Sequence, residues 1–198
     1  MNFLAHIYLS GNDRQLQLGN FIGDFVKGNK YLDYPQRIRD GIIFHREIDT
    51  FTDTHPVFID TVLYLRPTFK RYSGIIADMY FDYFLASEFK QFSPDKSLTR
   101  FSYEFYLTTL WYYKWLPERL KRFIFHFISS NRLKKYSNYE GLHSSLSIMN
   151  QRKTQAINPN LSISFLKENE EVLKSYFMEF IPEVINFARN HELSEPNF

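Results

Sequence analysis

From Thr68 to Phe89 the chain reads TFKRYSGIIADMYFDYFLASEF, without a proline, and Ile75, Ile76, Met79, Phe84 and Leu85 recur at helical spacing. This predicts a helix over 68–89. Asp78 and Asp82 stand four apart inside it, so their carboxylates project from one face, one turn above the other. Two like charges in apolar surroundings are stable only when a positive group or a metal lies between them. The stretch GIIFHREIDTFTDTHP, 41–56, poses the same problem with His45, Glu47, Asp49, Asp53 and His55. His45 and Asp49 share a helix face, with Asp53 one turn further on if the helix continues through Thr50 and Thr52. His55 precedes Pro56 and is expected outside the helix. In QLGNFIGDFVKGN, 17–29, Asp24 follows Gly23 on a turn expected to present its carboxylate inward.

Among the 198 residues are 21 Phe and 14 Tyr but only 7 Gly and 8 Pro, a balance that favours long helices with few turns. The reading is an all-α, single-domain helical bundle over 1–198, with its chemistry in residues 1–90 and helical completion in 91–198. Further helices are expected at Leu98–Trp115, Pro117–Ser129 with Pro117 in the first turn, Tyr139–Arg152, and Ser162–Glu192 kinked or split by Pro182. TQAINPN, 154–160, is the clearest loop, and no repeat or linker divides the chain.

There is no cysteine, which excludes disulfides, thiolate metal sites and a cysteine nucleophile. No run of some 18 apolar residues and no leader-like start is present, so a cytoplasmic protein with no membrane insertion is expected. The formal charge of +2 is far from that of a nucleic-acid binder. Phosphate-loop, dinucleotide, nucleophile-elbow and H-E-x-x-H motifs are all missing. What is left is the set His6, Asp24, His45, Asp49, Asp53, His55, Asp78 and Asp82. Imidazole and carboxylate together suit a divalent ion, and a helical bundle can turn such side chains inward from facing helices. Mn²⁺, Fe²⁺, Mg²⁺ and Zn²⁺ all fit that donor set. Three of them also have a structural reading: His6 as a hydrogen-bonded core histidine, Asp53 as a cap, Asp49 as the partner of Arg46 or Arg66; Asp78 and Asp82, with apolar and aromatic neighbours on most sides, are harder to dismiss. Tyr8, Trp111 and Trp115 read as core or groove aromatics, His126 and His143 as structural, and His191 as solvent-exposed.

The segments MNFLAHIYLSG, GNFIGDFVKG, GIIFHREIDTFTDTHP, LRPTFKRYSGIIADMYFDYFLA and FMEFIPEVINF, with MNQR as a weaker match, resemble in order the acyl carrier protein phosphodiesterases. The resemblance implies a helical fold of the HD-domain phosphohydrolase type. It also implies a divalent metal, preferentially manganese, and removal of 4′-phosphopantetheine from holo acyl carrier protein. Carried over by position, His45, Asp49 and Asp78 are expected as metal ligands, with Asp24 close behind and His6 a further contact. Arg46 departs from the His-Asp dipeptide of the wider superfamily, so the aspartate must come from elsewhere. Tyr8 and Tyr83 stand where relatives commonly carry histidine.

On this reading a metal-acidified water attacks phosphorus, Asp82 or Asp24 orients the water or takes its proton, and Arg46, Lys27 and Arg66 hold the phosphate oxygens. The acidic carrier calls for a basic docking surface. Arg66/Lys70/Arg71 is the favoured one, ahead of Arg119/Lys121/Arg122 and Arg132/Lys134/Lys135. Two other readings remain open: a phosphohydrolase of the HD type acting on nucleotides or another small phosphodiester, and a helical protein that binds the carrier without chemistry.

Overall fold

Two side chains start the first helices. The Asn2 side-chain oxygen accepts the Phe3 N–H to open α1 (Phe3–Leu9), and Asp13 accepts the N–H groups of Gln15 and Leu16 to open α2 (Arg14–Ile22). Each satisfies donors that a helix start leaves without a partner. α3 (Gln36–Thr54) then crosses α2 where two glycines meet. A Cβ on Gly19 would lie 2.1 Å from the Ile38 carbonyl oxygen, and one on Gly41 2.4 Å from that of Leu16. Only glycine permits backbones this close. Two 3₁₀ turns, Gly23–Phe25 and Gly28–Asp33, join the pair.

The threonines do not interrupt α3. Thr50, Thr52 and Thr54 donate their hydroxyls to the carbonyls of Arg46, Ile48 and Thr50. The helix stops where expected, at His55, which is extended ahead of Pro56. α4 (Pro56–Phe69) ends at Lys70, whose φ of 53° lies in the left-handed region, and a 3₁₀ turn over Lys70–Tyr72 leads into α5 (Ser73–Ser87). The helix expected from Thr68 therefore begins at Ser73, because a left-handed residue cannot continue a right-handed helix. α5 is buried on nearly every side, as a helix apolar all round must be.

The remaining helices are α6 (Phe89–Phe92), α7 (Leu98–Trp111), α8 (Glu118–Ser129), α9 (Arg132–Lys135), α10 (Tyr139–Lys153), α11 (Pro159–Glu168) and α12 (Glu170–Arg189). α7 stops short of the expected Trp115, which lies in a separate 3₁₀ turn, Tyr113–Trp115, and Pro117 caps α8 from outside its first turn. The break expected at Pro182 falls at Asn169 instead. There the side-chain amide donates to the Phe165 carbonyl and its oxygen accepts the Tyr64 hydroxyl, while α12 runs on through Pro182. α11 begins inside the stretch expected to be a loop.

This structure is a computed structural model and describes residues 1–153 and 157–191; 154–156 of the expected loop and the end of the expected last helix, at Glu192, lie outside them. Every regular element among the described residues is helical. Phenylalanines knit the layers together: Phe21 meets Phe105 at 5.0 Å and Phe127 at 5.5 Å, and Phe81 meets Phe177 and Phe180 at 5.5 and 5.4 Å. Tyr8 belongs to this core, but Trp111, expected in it or in a groove, is 79% exposed. No helix among the described residues is long and apolar enough to cross a membrane.

Candidate metal centre

The α2–α3 crossing sets His45 against the carbonyl end of α2. Its Nδ1 lies 2.8 Å from the Asn20 carbonyl oxygen. A backbone carbonyl only accepts, so Nδ1 carries a proton, and Nε2 is the nitrogen turned inward, protonated while the ring is charged and a lone-pair donor once that proton leaves. Gly23 makes room for the ring, since a Cβ there would sit 2.3 Å from it. One helical turn along α3, Asp49 places an oxygen 3.3 Å from His45 Nε2. From α1, His6 stacks on His45 with ring centroids 3.9 Å apart and sets its own Nε2 3.1 Å from Asp49.

Both Nε2 atoms are buried, and neither makes a well-directed hydrogen bond. The donor atoms of His6, His45 and Asp49 converge instead, all within 4.8 Å of one another. Two imidazoles and a carboxylate pointing at a common position form a set suited to a divalent ion. Two further carboxylates stand around it. Asp24 lies 3.5 Å from His45 Nε2 on the solvent side, its side chain 68% exposed, so it forms the mouth of the site and does not point inward as expected. Asp78 faces the Met1 ammonium at 3.1 Å, and Asp49 faces the same ammonium at 3.3 Å. The two acids thus share a cation.

Charges and burial fix the proton positions. Burial lowers the His6 pKa and the neighbouring His45 lowers it further, to about 4, so His6 is neutral at pH 7. Burial pulls His45 the same way, but Asp24 and Asp49 outweigh it and hold the ring up to about 9. Burial raises Asp49, and His45, His6 and the ammonium overcome this to hold it well below the usual carboxylate range. Asp24 is lowered by His45, whereas burial raises Asp78 against the pull of the ammonium. Burial opposes the ammonium too, but the two aspartates keep it charged, with a pKa of about 10.

Other expected site residues lie elsewhere. Asp82, expected to handle the water, spends both oxygens on the Leu4 and Ala5 N–H groups at 2.9 and 3.1 Å, closing the start of α1 from α5. His55 faces away, its Nε2 3.1 Å from Glu183 on α12, and Asp53 is exposed on the last turn of α3. Arg46 donates to the carbonyls of Val26 and Gly28 and lies over the Tyr31 ring, which ties down the loop carrying Asp24 and the exposed Lys27. Arg66 and Lys70 are exposed at the corner between α4 and α5, where Arg71 bonds the Tyr72 hydroxyl. Asp49 pairs with neither Arg46 nor Arg66. Tyr8 donates to the Phe92 carbonyl and Tyr83 to Glu170, so both hydroxyls are engaged away from the cluster.

His143 bonds Asn160, as a structural histidine should. His126 is exposed, because it lies on the outer side of α8, and His191, expected in solvent, is partly buried against Glu47. The Asn20 carbonyl and the Met1 ammonium carry no sequence signal. Gly19 and Gly23 beside them do, for a glycine within an apolar run marks a close approach.

The sequence profile of the acyl carrier protein phosphodiesterases matches residues 1–184. A protein of that name from Yersinia pestis is 28% identical over 193 residues, covering 98% of this chain and all of the relative. Those of Enterobacter sp. (strain 638) and Klebsiella pneumoniae (strain 342) are 30% and 31% identical at the same coverage. No solved structure matches the chain. With a profile match across more than nine-tenths of its length, the chain belongs to the acyl carrier protein phosphodiesterase family.

Proposed function

We propose that this protein is a metal-dependent phosphodiesterase that hydrolyses the bond between 4′-phosphopantetheine and the serine of holo acyl carrier protein, releasing the apo carrier. The observation that carries this reading is the convergence of His6, His45 and Asp49 beside an open mouth edged by Asp24, in a chain of this family. His6, His45 and Asp49 would hold a divalent ion, manganese on the resemblance, with Asp24 and Asp78 beside them. Bound there, such an ion supplies positive charge to the phosphate oxygens and acidifies water.

The rest of the work belongs to the chain. The Asn20 carbonyl keeps the proton on His45 Nδ1, so Nε2 is the nitrogen that would ligate, giving up its own proton as an ion binds. Asp24, held ionised by His45, accepts but does not donate a proton; at the mouth it orients the attacking water or takes its proton. Water oxygen bonds to phosphorus as its proton passes to Asp24, the bond from phosphorus to the serine oxygen breaks, and that oxygen takes its proton from solvent water. Arg46 acts through the loop it fastens, which presents Lys27 to the diester's negative charge.

The test is the intact mass of holo acyl carrier protein incubated with the protein and Mn²⁺, with and without EDTA, beside Asp24→Ala. Loss of the whole phosphopantetheine group, abolished by chelation and by the substitution, is the expected result. An unchanged carrier, with small phosphodiesters turned over, would move the assignment to the wider class of phosphohydrolases.

A further inference from the structure

Beside the mouth of the cluster, α7 and α8 expose large apolar side chains among basic ones. α8 turns Leu120, Ile124 and Phe127 into the core and leaves Phe125 60% exposed. α7 leaves Leu107 and Trp111, one turn apart, 65% and 79% exposed. The Tyr113 ring, in the turn that follows α7, packs 5.7 Å from Phe125 of α8. Large apolar side chains grouped on an outer face mark a place where something binds.

Charge says what. From Leu107 to Tyr136 the chain holds seven Lys and Arg but one acid, Glu118, and that acid is bonded to Lys121. Lys114, Arg119 and Arg122 are exposed around the apolar group. Two copies of this face would set like charges together, which opposes self-association; an acidic protein surface is the complement. Arg119 fixes where the partner would sit. Its guanidinium lies 5.9 Å over the ring of Phe25, the residue after Asp24, whose carboxylate lies 3.5 Å from His45 Nε2.

Resting on the phosphodiesterase reading above, we infer that the face of α7 and α8 docks the acidic carrier and aims its modified serine at Asp24. Acidic side chains of the carrier lie against Lys114, Arg119 and Arg122, and its apolar ones on Leu107 and Trp111. The corner carrying Arg66, Lys70 and Arg71, which sequence alone favours, has Leu63 exposed one turn away but no link to Asp24 through Phe25.

The experiment compares Arg119→Glu/Arg122→Glu, Leu107→Ser/Trp111→Ser and, as a control, Arg66→Glu/Arg71→Glu. All six positions are exposed. Each variant is assayed with Mn²⁺ on holo acyl carrier protein and on bis-p-nitrophenyl phosphate. The first two should raise KM for the carrier about tenfold or more at low salt, with kcat and small-diester turnover unchanged, and the charge effect should shrink as salt rises. The control should match the wild type. An unchanged KM in the first two, or a larger effect in the control, overturns the inference, as does an equal loss on the small diester.

If the wild-type protein leaves the carrier intact, the phosphodiesterase reading fails by itself, and docking is then read from the anisotropy of labelled holo carrier. Binding lost in the first two variants upholds the surface; no binding overturns it, as does tighter binding to phosphatidylglycerol vesicles than to the carrier.

Discussion

Asp82 is fully buried, and its carboxyl is pushed up by that burial to about 7, despite the two backbone N–H groups it accepts. An unfolded aspartate titrates near 3.9. The folded chain therefore holds this proton more tightly, and the stability it contributes is present below about pH 4 and lost as pH rises through about 7. That difference corresponds to roughly 4 kcal/mol. In metal-free protein, urea unfolding should show Asp82→Asn less dependent on pH than wild type between pH 4 and 7; equal slopes would mean that Asp82 is ionised throughout. At the cluster, Asp24→Ala should lower the His45 pKa from about 9, read by imidazole NMR of the metal-free protein; an unmoved resonance would detach Asp24 from His45. That His45 and Asp49 share a helix face was legible because a spacing of four on a helix needs no tertiary knowledge. Asp82 and His55 were misread because their partners, Leu4 and Glu183, are 78 and 128 residues away. A buried aspartate that caps a distant helix looks the same in sequence as one that meets water.

At the scale of elements, the α2–α3 crossing does what neither helix does alone. Gly41→Ala would force its Cβ into the Leu16 carbonyl, and because that oxygen belongs to backbone the helices must separate. Overpacking of this kind costs about 1–3 kcal/mol or more. The visible sign should be weaker Mn²⁺ binding by calorimetry as well as a lower Tm, since His45 would leave the Asn20 carbonyl; an unchanged affinity would show that the crossing serves stability alone. The helices themselves were largely legible from apolar spacing, and their ends less so. Lys70 stops α4 by adopting a left-handed backbone with no glycine to announce it. Pro182 stays inside α12 while Asn169, whose amide finds Tyr64 and Phe165, makes the break.

For the whole molecule, an ion held by His6 of α1 and by His45 and Asp49 of α3 would brace two distant segments. A ligand at a hundred times its Kd adds about 2.7 kcal/mol, which for a chain of this size raises Tm by roughly 5–10 °C. Differential scanning calorimetry with Mn²⁺ and with EDTA should show that gap, absent in His45→Ala; no gap would remove the cluster as the metal site. The aromatic-rich composition announced a helical core, whereas the pinning of α1 by Asp82 was written nowhere in local pattern. That pin also has a temporal meaning. As the chain leaves the ribosome, the helix carrying His6 precedes the carboxylate that pins it, since Asp82 follows 77 residues behind Ala5. A chain stalled before α5 would carry His6, His45 and Asp49 without the carboxylate that holds the start of α1 in place.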